Sequence, residues 1–165
     1  MVVVDSFVLI HLCRIGKLSL LKKFFKKIGI TQEVYGEVKG GIGFSEIEKA
    51  CKNWIFISRP VSDNADNTGK LEGIEKADAS IILLAKETND TLLSNDYALI
   101  MVARSKGVKC WWLTTFLLGC LEKKIITKKE AEQILFELIE SGMRLDNAVY
   151  AAILKQIRKY NQKNF

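Results

Sequence analysis

The sequence has very few of the residues that build common metal and redox sites. Its 165 residues include a single histidine, His11, and four cysteines. The cysteines stand at positions 13, 51, 110 and 120, and no two of them form a Cys-x-x-Cys pair. Zinc sites need clustered Cys and His ligands, and small secreted domains need paired cysteines. The composition therefore argues against a zinc centre and a disulfide framework, and it favours buried thiols.

Long hydrophobic runs are also missing. The longest nearly apolar stretch runs from Cys110 to Leu121 and is interrupted by Thr114 and Thr115. It falls short of the roughly 18 residues that a membrane span needs. The first apolar run contains an acid, Asp5, with no basic stretch before it, which is not the pattern of a signal peptide. We therefore expect no membrane segment and a cytoplasmic location.

The glycine loops that bind phosphate are not found either. No Gly-x-Gly-x-x-Gly follows the first predicted strand, and the chain has no Gly-Lys-Ser/Thr sequence. Dinucleotide-binding and P-loop proteins are thereby excluded. A phosphatase with an aspartyl nucleophile would place a second acid two residues after Asp5, where Phe7 stands.

Short apolar runs alternate with helical patterns over residues 2–113, which predicts a parallel sheet with helices on both faces. We predict a three-layer α/β/α sandwich with a central, mainly parallel sheet. The polar stretch 62–69 is predicted to be a mobile loop. Residues 1–165 are expected to form a single domain, with a core of about 1–113 and a helical extension of about 114–160. The predicted strands are Val2–Val4, Ile28–Ile30, Trp54–Ile57, Thr91–Ser94 and Val108–Leu113.

Charge is distributed unevenly along this chain of net charge +6. Residues 1–30 contain six basic residues and one acid, whereas residues 61–100 contain eight acids and three lysines. A basic surface around an acidic middle suits a metal-dependent enzyme that acts on a polyanion.

Four acids lie where a parallel sheet would bring them together. Asp5 and Asp96 each follow a predicted strand, and Glu37 and Asp78 lie on predicted helices that flank the same sheet. Ligands of open parallel sheets bind beyond the carboxyl ends of the strands. Carboxylates gathered there repel one another unless a cation neutralises them, and hard oxygen ligands select Mg²⁺ or Mn²⁺. The pattern predicts a metal site.

The order, strand context and spacing of four segments resemble those of the PIN-domain nucleases, a family that includes the VapC-type toxins. The segments are Val2–Ser6, Thr31–Val38, Asp78–Ala85 and Leu93–Asp96. The tail is similar to the helical extension of one PIN subgroup of bacteria and archaea. Many relatives carry two adjacent acids where this chain has Asn95 and Asp96.

The resemblance implies a metal-dependent endoribonuclease that hydrolyses the phosphodiester bonds of RNA. It also implies an antitoxin partner if the protein is the toxin of a toxin–antitoxin pair. Glu33 competes with Glu37 for the second acidic position, because both lie on one helix face. The alternative function is a non-catalytic module that binds RNA or protein. The implied catalytic residues, which are also the implied ligands of Mg²⁺ or Mn²⁺, are Asp5, Glu37, Asp78 and Asp96.

A homodimer is predicted from apolar faces in the tail helices that exceed what one domain edge needs. Across such a dimer, lysines near the N-terminus would line a groove leading to the acids and bind phosphate. Trp111 and Trp112 are predicted to pack in the core and at interfaces. The apolar faces comprise Phe116, Leu117, Leu118, Leu121, Ile134, Leu135, Leu138 and Ile139, and the lysines are Lys22, Lys23, Lys26 and Lys27.

Overall fold

The computed structural model describes residues 1–62 and 65–160. Its centre is a five-stranded sheet in which every neighbouring pair of strands is parallel. The strand order across the sheet is β3-β2-β1-β4-β5. The strands are β1 (Val2–Val4), β2 (Ile28–Thr31), β3 (Ile55–Ser58), β4 (Thr91–Ser94) and β5 (Cys110–Trp112).

Ten helices connect the strands and form the tail within the described residues. No helix among them is both long and apolar enough to cross a membrane. The helices are α1 (Ser6–Arg14), α2 (Ser19–Phe24), α3 (Gln32–Val38), α4 (Phe44–Asn53), α5 (Ala65–Glu72), α6 (Lys76–Thr88), α7 (Tyr97–Ser105), α8 (Leu113–Glu122), α9 (Lys128–Glu140) and α10 (Asn147–Lys159).

The chain changes direction along the sheet once. From β1 it steps outward through β2 to β3, and it then returns to place β4 on the other side of β1. Because such crossovers are right-handed, the helices after β1 and β2 cover one face of the sheet, and α6 and α7 cover the other. This arrangement confirms the predicted α/β/α sandwich, and the sheet is entirely parallel.

Burial on both faces explains the composition of the central strands. Val2, Val3 and Val4 of β1 are completely buried, and so are Leu92 and Leu93 of its neighbour β4. A strand covered on both sides has no solvent face, so its sequence is a continuous apolar run rather than an alternating one.

The apolar residues of the tail face the protein's own core, which corrects the premise of the predicted dimer. Helix α8 packs on β4 and β5, α9 packs on α8, and α10 packs on both α8 and α9. Only Leu118 and Ile139 are half-buried, and the remaining members of the predicted faces are buried. These helices use their apolar faces to bury one another. The homodimer itself stays a prediction.

The predicted loop at residues 62–69 is wrong from residue 65 onward, and residues 63 and 64 lie outside the described residues. Residues 65–72 form α5, which packs on α6. Its buried positions are Ala65 and Gly69, one helical turn apart, and Asp66 forms a 3.1 Å ion pair with Lys76. Two small residues give little hydrophobic periodicity, so the sequence looked like a polar loop.

Close packing of α5 predicts that alanine substitutions at two helical glycines have opposite effects on stability. A Cβ at Gly69 would lie 2.9 Å from the backbone oxygen of Ile74, whereas a Cβ at Gly36 would meet no atom within 4 Å. We expect Gly69→Ala to lower the free energy of unfolding by about 1–3 kcal/mol through overpacking. Gly36→Ala, the matched control, should raise it by about 0.4–1 kcal/mol. Denaturant unfolding measures both, and equal stabilisation by the two substitutions would contradict the α5 packing.

Candidate active site

Two of the predicted acids lie at the point where the strand order reverses. Asp5 directly follows β1 and caps α1, and Asp96 follows β4 and caps α7. Strands β1 and β4 are neighbours, and the backbone N–H of Asp5 donates to the Leu93 carbonyl (3.1 Å). The crevice beyond such a reversal is where open parallel sheets bind ligands.

The hydroxyl of Ser94, the buried last residue of β4, joins these two acids. It donates a hydrogen bond to Oδ2 of Asp5 (2.7 Å) and accepts one from the backbone N–H of Asp96 (3.0 Å). The other carboxylate oxygen of Asp5 accepts bonds from the Ser6 hydroxyl (3.2 Å) and the Phe7 N–H (3.4 Å). The Asp5 carboxylate is therefore fixed by the neighbouring strand β4 and by the start of α1.

A pair of hydroxyls, from Thr31 and Ser80, positions the helices that carry the other two acids. Ser80 of α6 donates to the Ala77 carbonyl (2.7 Å), so the Thr31 hydroxyl donates to Ser80 (2.7 Å). Thr31 also accepts the backbone N–H of Val34 and thereby caps α3 (3.4 Å). The end of β2 thus connects α3, which carries Glu37, to α6, which carries Asp78.

Electrostatic effects show that the four predicted acids share one environment. Burial, and then the charges of Asp5, Asp96 and Glu37, raise the pKa of Asp78 to about 7. Loss of water raises the pKa of Asp5, although the Ser94 hydrogen bond lowers it, and the charge of Asp96 adds to the rise. The structure therefore brings these carboxylates to one edge of the sheet.

Glu37 belongs to the same group of charges although its residue is largely exposed. Partial loss of water at its carboxyl raises the pKa, the neighbouring Ser6 hydroxyl lowers it, and the charges of Asp5 and Glu75 raise it. Glu37 therefore interacts electrostatically with Asp5. Glu33 lies one turn earlier on α3, and its Oε2 is buried without a hydrogen-bond partner among the described residues, so it stays the alternative acid of this helix.

Sequence reasoning missed Glu75. It stands at the N-cap position of α6, three residues before Asp78. Its charge adds to the rise that burial causes in the pKa of both Asp78 and Glu37. The sequence offered a signal for Glu75. It lies at the start of the same helix as Asp78, so both acids lie at the same end of that helix.

The donor chemistry of this cluster fits a divalent cation. Every candidate ligand is a hard carboxylate oxygen, and the charges of these groups make their shared ionisation unfavourable. A bound cation would relieve that repulsion. Within residues 1–62 and 65–160, no three carboxylate, thiolate or imidazole groups are already arranged to hold a metal ion. Ligation therefore requires the carboxylate side chains to close in.

The predicted basic groove does not form within one chain. Lys27 directly precedes β2, and its carbonyl accepts the N–H of Val2 at the start of β1. Lys22 lines a cavity together with Asn53 and Trp54, which come just before β3 begins. Parallel strands begin at one edge and end at the other, so these lysines lie at the edge opposite the acids. Only a second chain could bring them to the acidic cluster.

Comparison with known proteins assigns the family. A family model described as a PIN domain matches residues 1–159. This chain belongs to the PIN-domain family. Among curated proteins, none matches the sequence significantly. PIN domains are typically nucleases, and they generally use divalent metal ions. Membership of the VapC-like subgroup stays a prediction.

The raised pKa of Asp78 predicts how the stability of this PIN domain depends on pH in the presence of chelator. The carboxyl titrates near 3.8 when unfolded and near 7 when folded. Between these values the folded state binds more protons, so the free energy of unfolding falls as pH rises. Asp78→Asn should remove this contribution and become more stable than the wild type at pH 8, with little difference at pH 4.

Comparison of variants isolates Asp78 from other titrating groups. Burial lowers the pKa of His11, so its contribution to the free energy of unfolding increases as pH rises. This contribution is the same in the wild type and in Asp78→Asn. Glu140→Gln, which removes an exposed acid of α9, should follow the wild-type profile at every pH. Thermal unfolding from pH 4 to 8 measures the difference. Identical profiles for Asp78→Asn and the wild type would contradict the shared environment.

Proposed function

We propose that this PIN-domain protein is a Mg²⁺- or Mn²⁺-dependent endoribonuclease that hydrolyses single-stranded RNA. One observation carries the proposal: Asp5 and Asp96 follow neighbouring strands at the reversal point of the sheet. Burial, and then the charges of Asp5, Asp96 and Glu37, raise the pKa of Asp78 beside them. Structural ion pairs lower carboxylate pKa values, whereas acids that repel one another are stabilised by a bound cation. The proposed ligands are Asp5, Glu37, Asp78 and Asp96.

Within this mechanism the protein holds the carboxylates in place. Ser94 and the start of α1 orient Asp5, and the N-terminus of α7 orients Asp96, whose Oδ1 accepts the Leu99 N–H (2.8 Å). The pKa of about 7 belongs to Asp78 in the metal-free site, and a bound divalent ion would displace its proton. A bound divalent ion would supply an activated water and stabilise the charge that develops on phosphate.

His11 is not available for this chemistry. Its Nδ1 lies 2.7 Å from the Ser141 hydroxyl, which donates to the Leu138 carbonyl, and its ring lies tilted against Phe7 with the centroids 4.0 Å apart. The histidine connects α1 to the end of α9, and the acid–base work would fall to the water that a bound ion activates.

Cleavage assays test the proposal. Single-stranded RNA incubated with Mn²⁺ or Mg²⁺ should be cut, single-stranded DNA of the same sequence should not, and chelator should stop the reaction. Asp5→Asn and Asp96→Asn should each lower the rate by at least about 100-fold, because even partners of metal ligands cost roughly 10- to 100-fold. Both variants should stay folded, since asparagine keeps the shape and relieves repulsion.

The matched control is Asp90→Asn. This residue pairs with the N-terminal amine (2.7 Å) just before β4 begins, at the edge opposite the acids, so its rate should equal that of the wild type. Cutting that persists in excess chelator would contradict the metal mechanism. A pure protein that binds RNA without cutting it would support the alternative, a non-catalytic binding module.

The finer proposal is that the protein is the toxin of a toxin–antitoxin pair. Family membership and the predicted activity support it, and the neighbouring reading frame tests it. A small antitoxin-like frame whose product blocks cleavage is the expected result, and its absence beside the gene would contradict this role.

A further inference from the structure

We propose that a cavity beside the acids binds one base of a single-stranded RNA, with Tyr97 stacking on the base and Arg144 pairing with a flanking phosphate. The inference rests on the proposed function, because it assigns part of the substrate to a position next to the cleavage site. It adds a recognition site, contributed in part by the helical tail.

The cavity has a volume of about 540 Å³, within the roughly 300–1,000 Å³ of small-molecule sites. Its walls come from α7, the end of β5 and the segment that joins α9 to α10. Its lining includes Asn95, Tyr97, Trp112, Arg144, Leu145 and Val149.

The strand register places this cavity next to the acids. Trp112 pairs with Ser94 across β4 and β5, and Ser94 is the residue that holds Asp5. Asn95 and Tyr97 stand on either side of Asp96 in the chain. An RNA whose phosphate lies at the acids therefore has a neighbouring nucleotide within reach of the cavity.

The lining has the chemistry that a base and its phosphate need. The Tyr97 side chain is 69% exposed, and Val149 is 45% exposed, so an apolar and aromatic surface is left facing water. Stacking of a base on an aromatic ring contributes about 1–3 kcal/mol without requiring a particular sequence. Arg144 is exposed and supplies the positive charge for a phosphate.

Among the described residues of the lining, the acid Asp146 does not oppose this ligand. Asp146 caps α10, and its Oδ1 accepts the backbone N–H groups of Ala148 (2.8 Å) and Val149 (3.4 Å). The positive end of the helix dipole offsets its charge. The net charge of +6 also favours a polyanion over a neutral peptide as the occupant.

A binding experiment in chelator tests the cavity apart from catalysis. The probes are a fluorescent eight-nucleotide RNA and eight versions of it, each lacking one base, and anisotropy measures their affinity. For the wild type, loss of the base at one or two adjacent positions should weaken binding roughly 5- to 100-fold. Tyr97→Ala should weaken binding of the intact RNA by the same factor, and base removal at those positions should then have no further effect.

Phe56→Ala is the matched control. Phe56 is another exposed aromatic residue (49%), but it lies on β3, at the far side of the sheet from β5, so the pattern of sensitive positions should not change. Tyr97 is substituted and Trp112 is not, because Tyr97 is exposed. Its replacement by alanine should leave the protein folded, so a loss of binding cannot be explained by unfolding. Arg144→Ala should weaken all probes equally and reduce the salt dependence of binding.

The outcomes separate this inference from the nuclease proposal. Base-dependent binding that requires Tyr97, without cleavage in Mn²⁺, would support the cavity and contradict the ribonuclease. If the protein cleaves RNA but binds all eight base-deleted probes as tightly as the intact RNA, the cavity proposal is contradicted and the ribonuclease proposal is not. Base effects of the same size in Tyr97→Ala and the wild type would also overturn the inference, and so would an affinity too weak to measure.

Discussion

Repulsion among carboxylates at one edge of the sheet is the physical constraint that the candidate active site must satisfy. Asp5 is only 4% exposed, and burial raises its pKa, yet the fold keeps it beside other acids. Such an arrangement costs stability and is typical of sites that serve function. A cation that neutralises the cluster would turn this cost into binding affinity.

Hydroxyl groups at the ends of two strands make the arrangement possible. Ser94 satisfies the buried Asp5 carboxylate and fixes the chain at Asp96, while Thr31 and Ser80 join β2, α3 and α6. Each hydroxyl both donates and accepts, so none of these buried groups is left without a partner. The tail is fixed separately, since Arg14 of α1 donates to the Ser141 carbonyl (3.1 Å).

The features predicted correctly from sequence are those set by local patterns. A continuous valine run predicts a strand covered on both faces, and a residue that follows a parallel strand must lie at its carboxyl edge, which located Asp5 and Asp96. The spacing of Thr127 and Glu130 is that of a capping box, and the structure forms both of its hydrogen bonds at the start of α9.

The features that sequence could not predict depend on which elements meet in space. The bond from Ser94 to Asp5 joins residues 89 positions apart, and nothing local distinguishes that serine from an ordinary turn residue. The tail helices have apolar faces whether they pack on one another or on a second chain, so burial of Phe116 and Leu138 required the tertiary structure. Trp111 packs against Phe24 as predicted, whereas Trp112 lines the cavity beside the acids.

Calorimetric titration of the metal-free protein with Mn²⁺, repeated at several pH values in buffers of different ionisation enthalpy, tests the central claim most directly. Metal binding displaces protons from ligands that are protonated in the free site. Because the pKa of Asp78 is about 7, Mn²⁺ binding should release protons at pH 6 and should release none by pH 9, and Asp78→Asn should abolish the release. Saturable Mn²⁺ binding without proton release at pH 6, or no Mn²⁺ binding, would contradict it.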